Sequence, residues 1–261
     1  MKKNRKLIFI IIIIFLIIIS LLVYFFKFKL ANKQIYGLIV NHHLFAANLI
    51  DQTFSEAKYQ HPDVVVLISP NHFNFGKYPL LTAKKTWPTK NGDLPANEIV
   101  ITSLLKNSDL NIEDPIFEKE HGIFNIIPYI NKYFPDTTII PIIVKETISN
   151  EDLDKFTQIL NETLPENSLI IGSFDFSHYK IEAVADQNDA KSIIILKNLD
   201  YLNTTGLDID STKGLRLVLE YLSLRQANQY QLIAHSSSAK ITNNPTTKEN
   251  TSYINGIFTK K

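Results

Sequence analysis

The chain has 261 residues, no cysteine, and 27 basic against 26 acidic side chains. Without cysteine, thiolate chemistry and a lipoprotein anchor are both excluded. Six of the basic residues and none of the acidic ones fall in the first thirty positions; the remainder, with 21 basic against 26 acidic residues, carries a formal charge of −5. A mildly acidic domain with no basic cluster argues against a nucleic-acid partner.

Residues 1–6, "MKKNRK", form a basic flank, and the next twenty, 7–26, are "LIFIIIIIFLIIISLLVYFF" without a charge. At a helical rise of about 1.5 Å per residue this run reaches about 30 Å, the thickness of a bilayer's hydrocarbon core. A cleaved signal peptide would have a shorter apolar core and small residues before the cut, whereas Lys29 stands at the −3 position relative to Ala31. The expectation is a single uncleaved transmembrane helix over 7–26, with the lipid bilayer as its partner, a linker at 27–34 and one domain at 35–261. Lys2, Lys3, Arg5, Lys6 and the terminal amine outweigh Lys27, Lys29 and Lys33. That bias puts the N-terminus in the cytoplasm and the domain outside it.

Six apolar runs follow at 35–40, 63–69, 137–144, 168–174, 230–235 and 252–258, rich in β-branched residues. Near-continuous apolar strands suit a sheet covered on both faces. Helices are expected at 43–58, 95–106, 121–133, 150–163, 185–198 and 211–227, the fourth opened by Asn150 with acids in its first turn. This alternation predicts a three-layer α/β domain around a mostly parallel or mixed sheet, with ligands bound at the carboxyl ends of its strands.

Five of the seven histidines lie in four short loops. Asn41, His42 and His43 follow the first strand; His72 sits in "SPNHFNFG" after the second; Glu120 and His121 open the 121–133 helix; Asp175 and His178 belong to "SFDFSHY" after 168–174. Each has an ordinary reading alone: a loop histidine, a cap, a turn carboxylate. His61, at the opposite edge, is expected in solvent, and His235 is unassigned. The joint arrangement points to a metal with imidazole and oxygen ligands. Two histidines and a carboxylate on one face leave positions open for substrate and dioxygen on Fe(II). With water in an open position the same donors suit hydrolysis at Zn(II). Other histidines would then serve as acid and base or as orienting partners. Phe73, Phe75, Trp87 and Tyr179 either line a pocket or belong to the core.

In order, "GLIVNHHLFAA", "ISPNHFNFG", "EKEHGIFNIIPYI", "TTIIPIIV", "IIGSFDFSHY" and "TSYINGIF" resemble the Memo-like proteins, also called AmmeMemoRadiSam system protein B, over roughly 35–258. The resemblance implies the fold of class III extradiol dioxygenases, whose iron is held by two histidines and a carboxylate. Memo-like proteins have two histidines and a cysteine at the matching positions, with copper or iron. Carried over, the ligands are His42, after Asn41 where the family usually has proline, and His72. The family's cysteine position falls on Asp210 or, with a one-residue shift, on Ser211; a hydroxyl there would bind metal weakly, and thiol-based copper chemistry is excluded either way. The expected centre is thus His42, His72 and Asp210 around a divalent metal, Fe(II) first, with Cu or Zn as alternatives. The expected catalytic set is His178, His121, Asp175 and Glu120, with His178 or His121 as general acid/base and Asp175 orienting its neighbour. The expected ligand is a small molecule or peptide in the strand-end cleft. Alternatives are a non-catalytic metal- or peptide-binding module, or a degenerate member that binds only an organic ligand.

Overall fold

The computed structural model describes residues 15–20 and 34–261, and the chain divides into two compact units, Met1–Gln34 and Ile35–Lys261. Of the first unit, 15–20 are helical, Gln34 is described, and 1–14 and 21–33 lie outside the described residues. Among the described residues no helix is long and apolar enough to cross a membrane. This corrects the expectation of a single-pass membrane protein anchored through 7–26: no described helix has spanning length, and 7–14 and 21–26 of that run lie outside the described residues.

The second unit is built on one eight-stranded sheet. Its strands are β1 (Ile35–Val40), β2 (Val64–Pro70), β3 (Leu80–Thr82), β6 (Asn111–Ile112), β7 (Thr138–Val144), β8 (Ser168–Ser173), β9 (Gln229–Ser237) and β10 (Ser252–Thr259). β4 (Trp87–Thr89) and β5 (Gly92–Leu94) form a separate hairpin. The order across the sheet is β6-β3-β7-β2-β8-β1-β10-β9, with β7, β2, β8 and β1 mutually parallel and antiparallel pairings at β3–β7, β1–β10 and β10–β9. The mixed sheet expected from the alternation is therefore present.

Two helical layers cover it. Along β2, Val64, Val66 and Ile68 enter one core and Val65 and Leu67 the other, the two-residue period of a strand buried on both faces. The first core is closed by α2 (Glu98–Asn107), α5 (Asn150–Thr163) and α7 (Thr212–Leu224), through Ile101, Leu104, Leu153, Phe156, Leu160, Leu215, Val218 and Leu222. The second is closed by α1 (Ala47–Glu56), α3 (His121–Phe124) and α4 (Ile127–Tyr133), through Ile50, Phe54, Ile123, Ile127 and Ile130. β1 leads into this second layer through α1. β8, paired beside it, leads instead to α6 (Glu182–Asn198) and then α7 on the first, and Leu196 of α6 is buried there. Connections that diverge in this way open a crevice at the carboxyl ends of the strands.

The departures from the sequence expectation have local causes. The helix expected over 121–133 is two helices, because Pro128 has no N–H to give the carbonyl of Phe124. The expected 43–58 helix opens with a 3-10 turn, Leu44–Ala46. β3 to β6 are two or three residues long, too short to show a period. Trp87, on the hairpin, is core. A last short helix, α8 (Ser238–Thr242), joins β9 to β10.

Leu67 is fully buried at the middle of the sheet, opposite Pro141 and Ile171 on its two neighbours. Leu67→Ala removes about three methylene-sized groups and leaves a cavity; urea unfolding should show a loss of about 2–5 kcal/mol.

Candidate metal centre

The turn after β1 is held by side-chain amides. Asn41 donates its N–H to Asn255 Oδ1 at 3.1 Å, receives Asn255 Nδ2 on its own Oδ1 at 2.9 Å, and donates Nδ2 to the His43 carbonyl at 3.1 Å. Asn125 Nδ2 donates to the His42 carbonyl at 3.0 Å, and the His42 N–H donates to Asp175 Oδ1 at 3.1 Å. The imidazole of His42 is thereby buried at the end of β1. Its Nδ1 lies 3.2 Å from Ser173 Oγ, and its Nε2 lies 3.4 Å from Asp210 Oδ2 and 3.5 Å from Asp175 Oδ2. Burial, together with the nearby His72 and His121, holds its pKa well below the usual imidazole value.

His72 follows β2 and is gripped by Glu120, the cap of α3. Glu120 Oε1 accepts from His72 Nδ1 at 2.5 Å and from the Gly122 N–H at 3.1 Å; Oε2 accepts the His72 N–H at 3.0 Å. A buried carboxylate behind an imidazole fixes which nitrogen faces forward. That nitrogen, Nε2, lies 3.7 Å from Asp210 Oδ2. Burial alone would lower the His72 pKa, but the facing Asp210 carboxylate and the hydrogen-bonded Glu120 outweigh it and raise it to about 9.

Asp210 and Asp175 are laced together. The Asp175 N–H donates to Asp210 Oδ2 at 2.8 Å, and the Asp210 N–H donates to the Asp175 carbonyl at 3.1 Å. Burial raises both carboxyls, Asp210 to about 7. Asp210 Oδ1 is buried without a hydrogen-bond partner. Of the two residues open for the third position, Ser211 is turned away. Its Oγ donates to Glu146 Oε1 at 3.0 Å and accepts the Gly214 N–H at 2.9 Å, capping α7. Asp210 therefore faces the histidines.

The donors fall into two groups sharing His42, each with ligand atoms within 4.8 Å: His42, His72 and His121, and His42, Asp175 and Asp210. The His121 ring lies 3.9 Å from that of His72 and 5.0 Å from that of His42, and burial lowers its pKa. His178 is half-buried; burial lowers its pKa, partly offset by the charges of Asp175 and Asp208. His43 is exposed, with Nδ1 2.8 Å from Tyr253 Oη, at the start of the 3-10 turn. His61 is exposed. His235 pairs with Asp189 Oδ2 at 2.8 Å in a third group with Asp186, where Lys240 Nζ lies 2.6 Å from Asp186 Oδ1. Phe73, Phe75 and Tyr179 are exposed, with Phe73 and Phe75 stacked at 5.3 Å and Phe73 6.3 Å from His121. Sequence reasoning missed Ser173, Asn125 and Asn255. The one signal available was a serine and an asparagine, each ending or interrupting an apolar strand.

The sequence model of the family described as Memo-like protein matches residues 20–256. A MEMO1 family protein of Caldivirga maquilingensis is 32% identical over 151 residues, 55% of this chain and 52% of that protein. A MEMO1 family protein of Saccharolobus solfataricus is 26% identical over 145 residues, 54% and 51% of the two chains. The chain thus spans about half the length of the curated relatives it matches. The crystal structure of an uncharacterized protein from Escherichia coli K12 is similar over 86% of this chain and 99% of that one, with a TM-score of 0.54 and 11% identity, a likeness of fold alone. The family match runs from before the first strand into the last one, over the loops that carry His42, His72, Glu120, Asp175 and Asp210, and the chain belongs to the Memo-like protein family.

Proposed function

We propose that this chain is a metal-dependent oxidoreductase of the non-haem-iron, dioxygenase-like kind, with one divalent ion held by His42, His72 and Asp210. The observation that carries this reading is Asp210. One of its oxygens lies 3.4 Å and 3.7 Å from two imidazole nitrogens, and the other is buried with no partner. Ligand atoms about 2.1 Å from a tetrahedral ion sit about 3.4 Å apart, so the spacing fits a small divalent cation. An ion would also neutralise the two carboxylates that burial now makes hard to ionise. Two imidazoles and a carboxylate without thiolate favour Fe(II), with Cu or Zn as alternatives. When bound, the ion would supply Lewis acidity and, as iron, one-electron redox capacity.

The surrounding side chains have separate tasks. Glu120, buried behind His72, orients it. Asp175 anchors the His42 backbone and adds negative charge beside the ion. His121 and His178, both held below the usual imidazole range by burial, are neutral near pH 7 and accept a proton from a ligand hydroxyl at a ring nitrogen. The Phe73–Phe75 pair supplies an apolar surface for a small organic ligand; its loop is stiffened by Asn71, which exchanges hydrogen bonds with the backbone of Phe75 at 2.7 and 3.0 Å. The same exposed rings favour a second reading, a binding module that takes a small molecule or peptide without turnover on an unchanged metal centre.

The full chain, purified without oxygen and assayed for Fe, Cu and Zn, should carry close to one ion per chain. A His42→Ala/His72→Ala double variant should carry none, and Asp210→Asn should bind at least about tenfold more weakly. No metal in the wild-type protein after reconstitution with each ion overturns the proposal.

Binding should also release protons. In the metal-free protein His72 holds a proton below about 9, and the ion must displace it from Nε2. Affinity should therefore fall about tenfold for each pH unit lowered from 9 to 7, and more steeply below about 7, where Asp210 is protonated as well. Calorimetry in buffers of different ionisation enthalpy at pH 8 should count one proton released per ion. Glu120→Gln removes the charge behind His72, so the His72 pKa, followed by NMR, should drop from about 9 toward the ordinary 6.5.

A further inference from the structure

We infer that Ser173 is a positioning residue that fixes the tautomer of His42, keeping the ring proton on Nδ1 and the Nε2 lone pair turned toward Asp210 and Asp175. The inference rests on the proposed metal centre for its consequence, but the tautomer itself belongs to the metal-free protein. Ser173 is the last residue of β8 and is fully buried. Its hydroxyl carries one proton, and Oγ lies 2.6 Å from the carbonyl oxygen of Gly122, which can only accept. The proton is committed there. What remains on Oγ is lone pairs, so at 3.2 Å the His42 Nδ1 must be the donor. A neutral imidazole with its proton on Nδ1 has a free lone pair on Nε2.

The other end of the ring agrees. Nε2 lies 3.4 Å and 3.5 Å from the two carboxylate oxygens, beyond the roughly 2.7–3.2 Å of an N–H···O bond. No hydrogen bond from Nε2 holds a proton at that end. Yet two carboxylates would attract one if nothing restrained it at Nδ1. Ser173 is that restraint. Without it the proton moves to Nε2, where it occupies the position an ion needs. Ser173 thus does for His42 what Glu120 does for His72, with a neutral acceptor in place of a charged one.

The test begins with the metal-free full chain labelled with 15N at histidine, at pH 8. Long-range 1H–15N correlation should show His42 with Nδ1 protonated and Nε2 bare. Ser173→Ala should shift the population toward Nε2–H and weaken Co(II) binding about 10–100-fold, and Ser173→Thr, which keeps the hydroxyl, should restore both. A wild-type His42 protonated on Nε2 overturns the inference, as does a Ser173→Ala protein with an unchanged tautomer, whatever its Co(II) Kd. If Ser173→Ala does not fold, the wild-type spectrum alone still decides the tautomer. If the wild-type tautomer is as stated and moves in Ser173→Ala while the wild-type protein binds no Co(II), the tautomer assignment stands and the metal reading falls.

Discussion

Both imidazoles at the heart of the site hang from the backbone of one residue, Gly122. Its carbonyl takes the Ser173 hydroxyl that faces His42, and its N–H is taken by Glu120, which grips His72 from behind. The contact needs a residue without a side chain: a Cβ at position 122 would run into Ser69 Oγ and come within 3.3 Å of His42 Nδ1. Close approach of backbone to strand ends is what glycine makes possible. The strands set the height of the histidines, and the short helix α3 sets their rotation.

The second constraint is electrostatic. Asp175, Asp210 and Glu120 are buried within reach of three histidines, and no lysine or arginine pairs with them among the described residues. A buried carboxylate is stable when it is protonated, hydrogen-bonded or next to a cation. Glu120 is satisfied by three donors. Asp210 keeps one oxygen unpartnered, and its pKa near 7 means the metal-free centre meets the demand with protons. Protons and a divalent ion compete for the same places, which couples any metal occupancy to pH.

The fold places these groups where diverging connections leave the parallel strands of a mixed sheet. The two points at which this chain departs from the pattern it resembles are accommodated differently. Asn41, in place of proline, is built into a reciprocal amide pair with Asn255 that holds the turn from the adjacent strand. Asp210, one of the two residues at the position where the resemblance implies a thiolate, carries an oxygen donor and a backbone tie to Asp175. The first preserves the geometry of the loop; the second changes the chemistry the loop can offer.

Amino-acid order by itself determined the layered α/β domain and the loops that matter, because β-branched runs of fixed length declare strands and histidines at their ends are visible to counting. It also placed His42, His72, Glu120, His121, Asp175 and His178 in those loops. It did not determine the short strands β3 to β6, too short for a period, or the break before Pro128. It suggested a membrane span from apolar composition alone, and no described helix has the length. Only the tertiary structure turned the Ser211 hydroxyl to Glu146 and Gly214 and the Asp210 carboxylate toward His42 and His72, since that depends on which side chain caps α7 rather than on spacing. Only it set Ser173 and Gly122 against His42, residues about 130 and 80 positions away in sequence. A hydrogen bond between distant strands leaves no pattern in a single sequence; it exists once the sheet has brought the strand ends together.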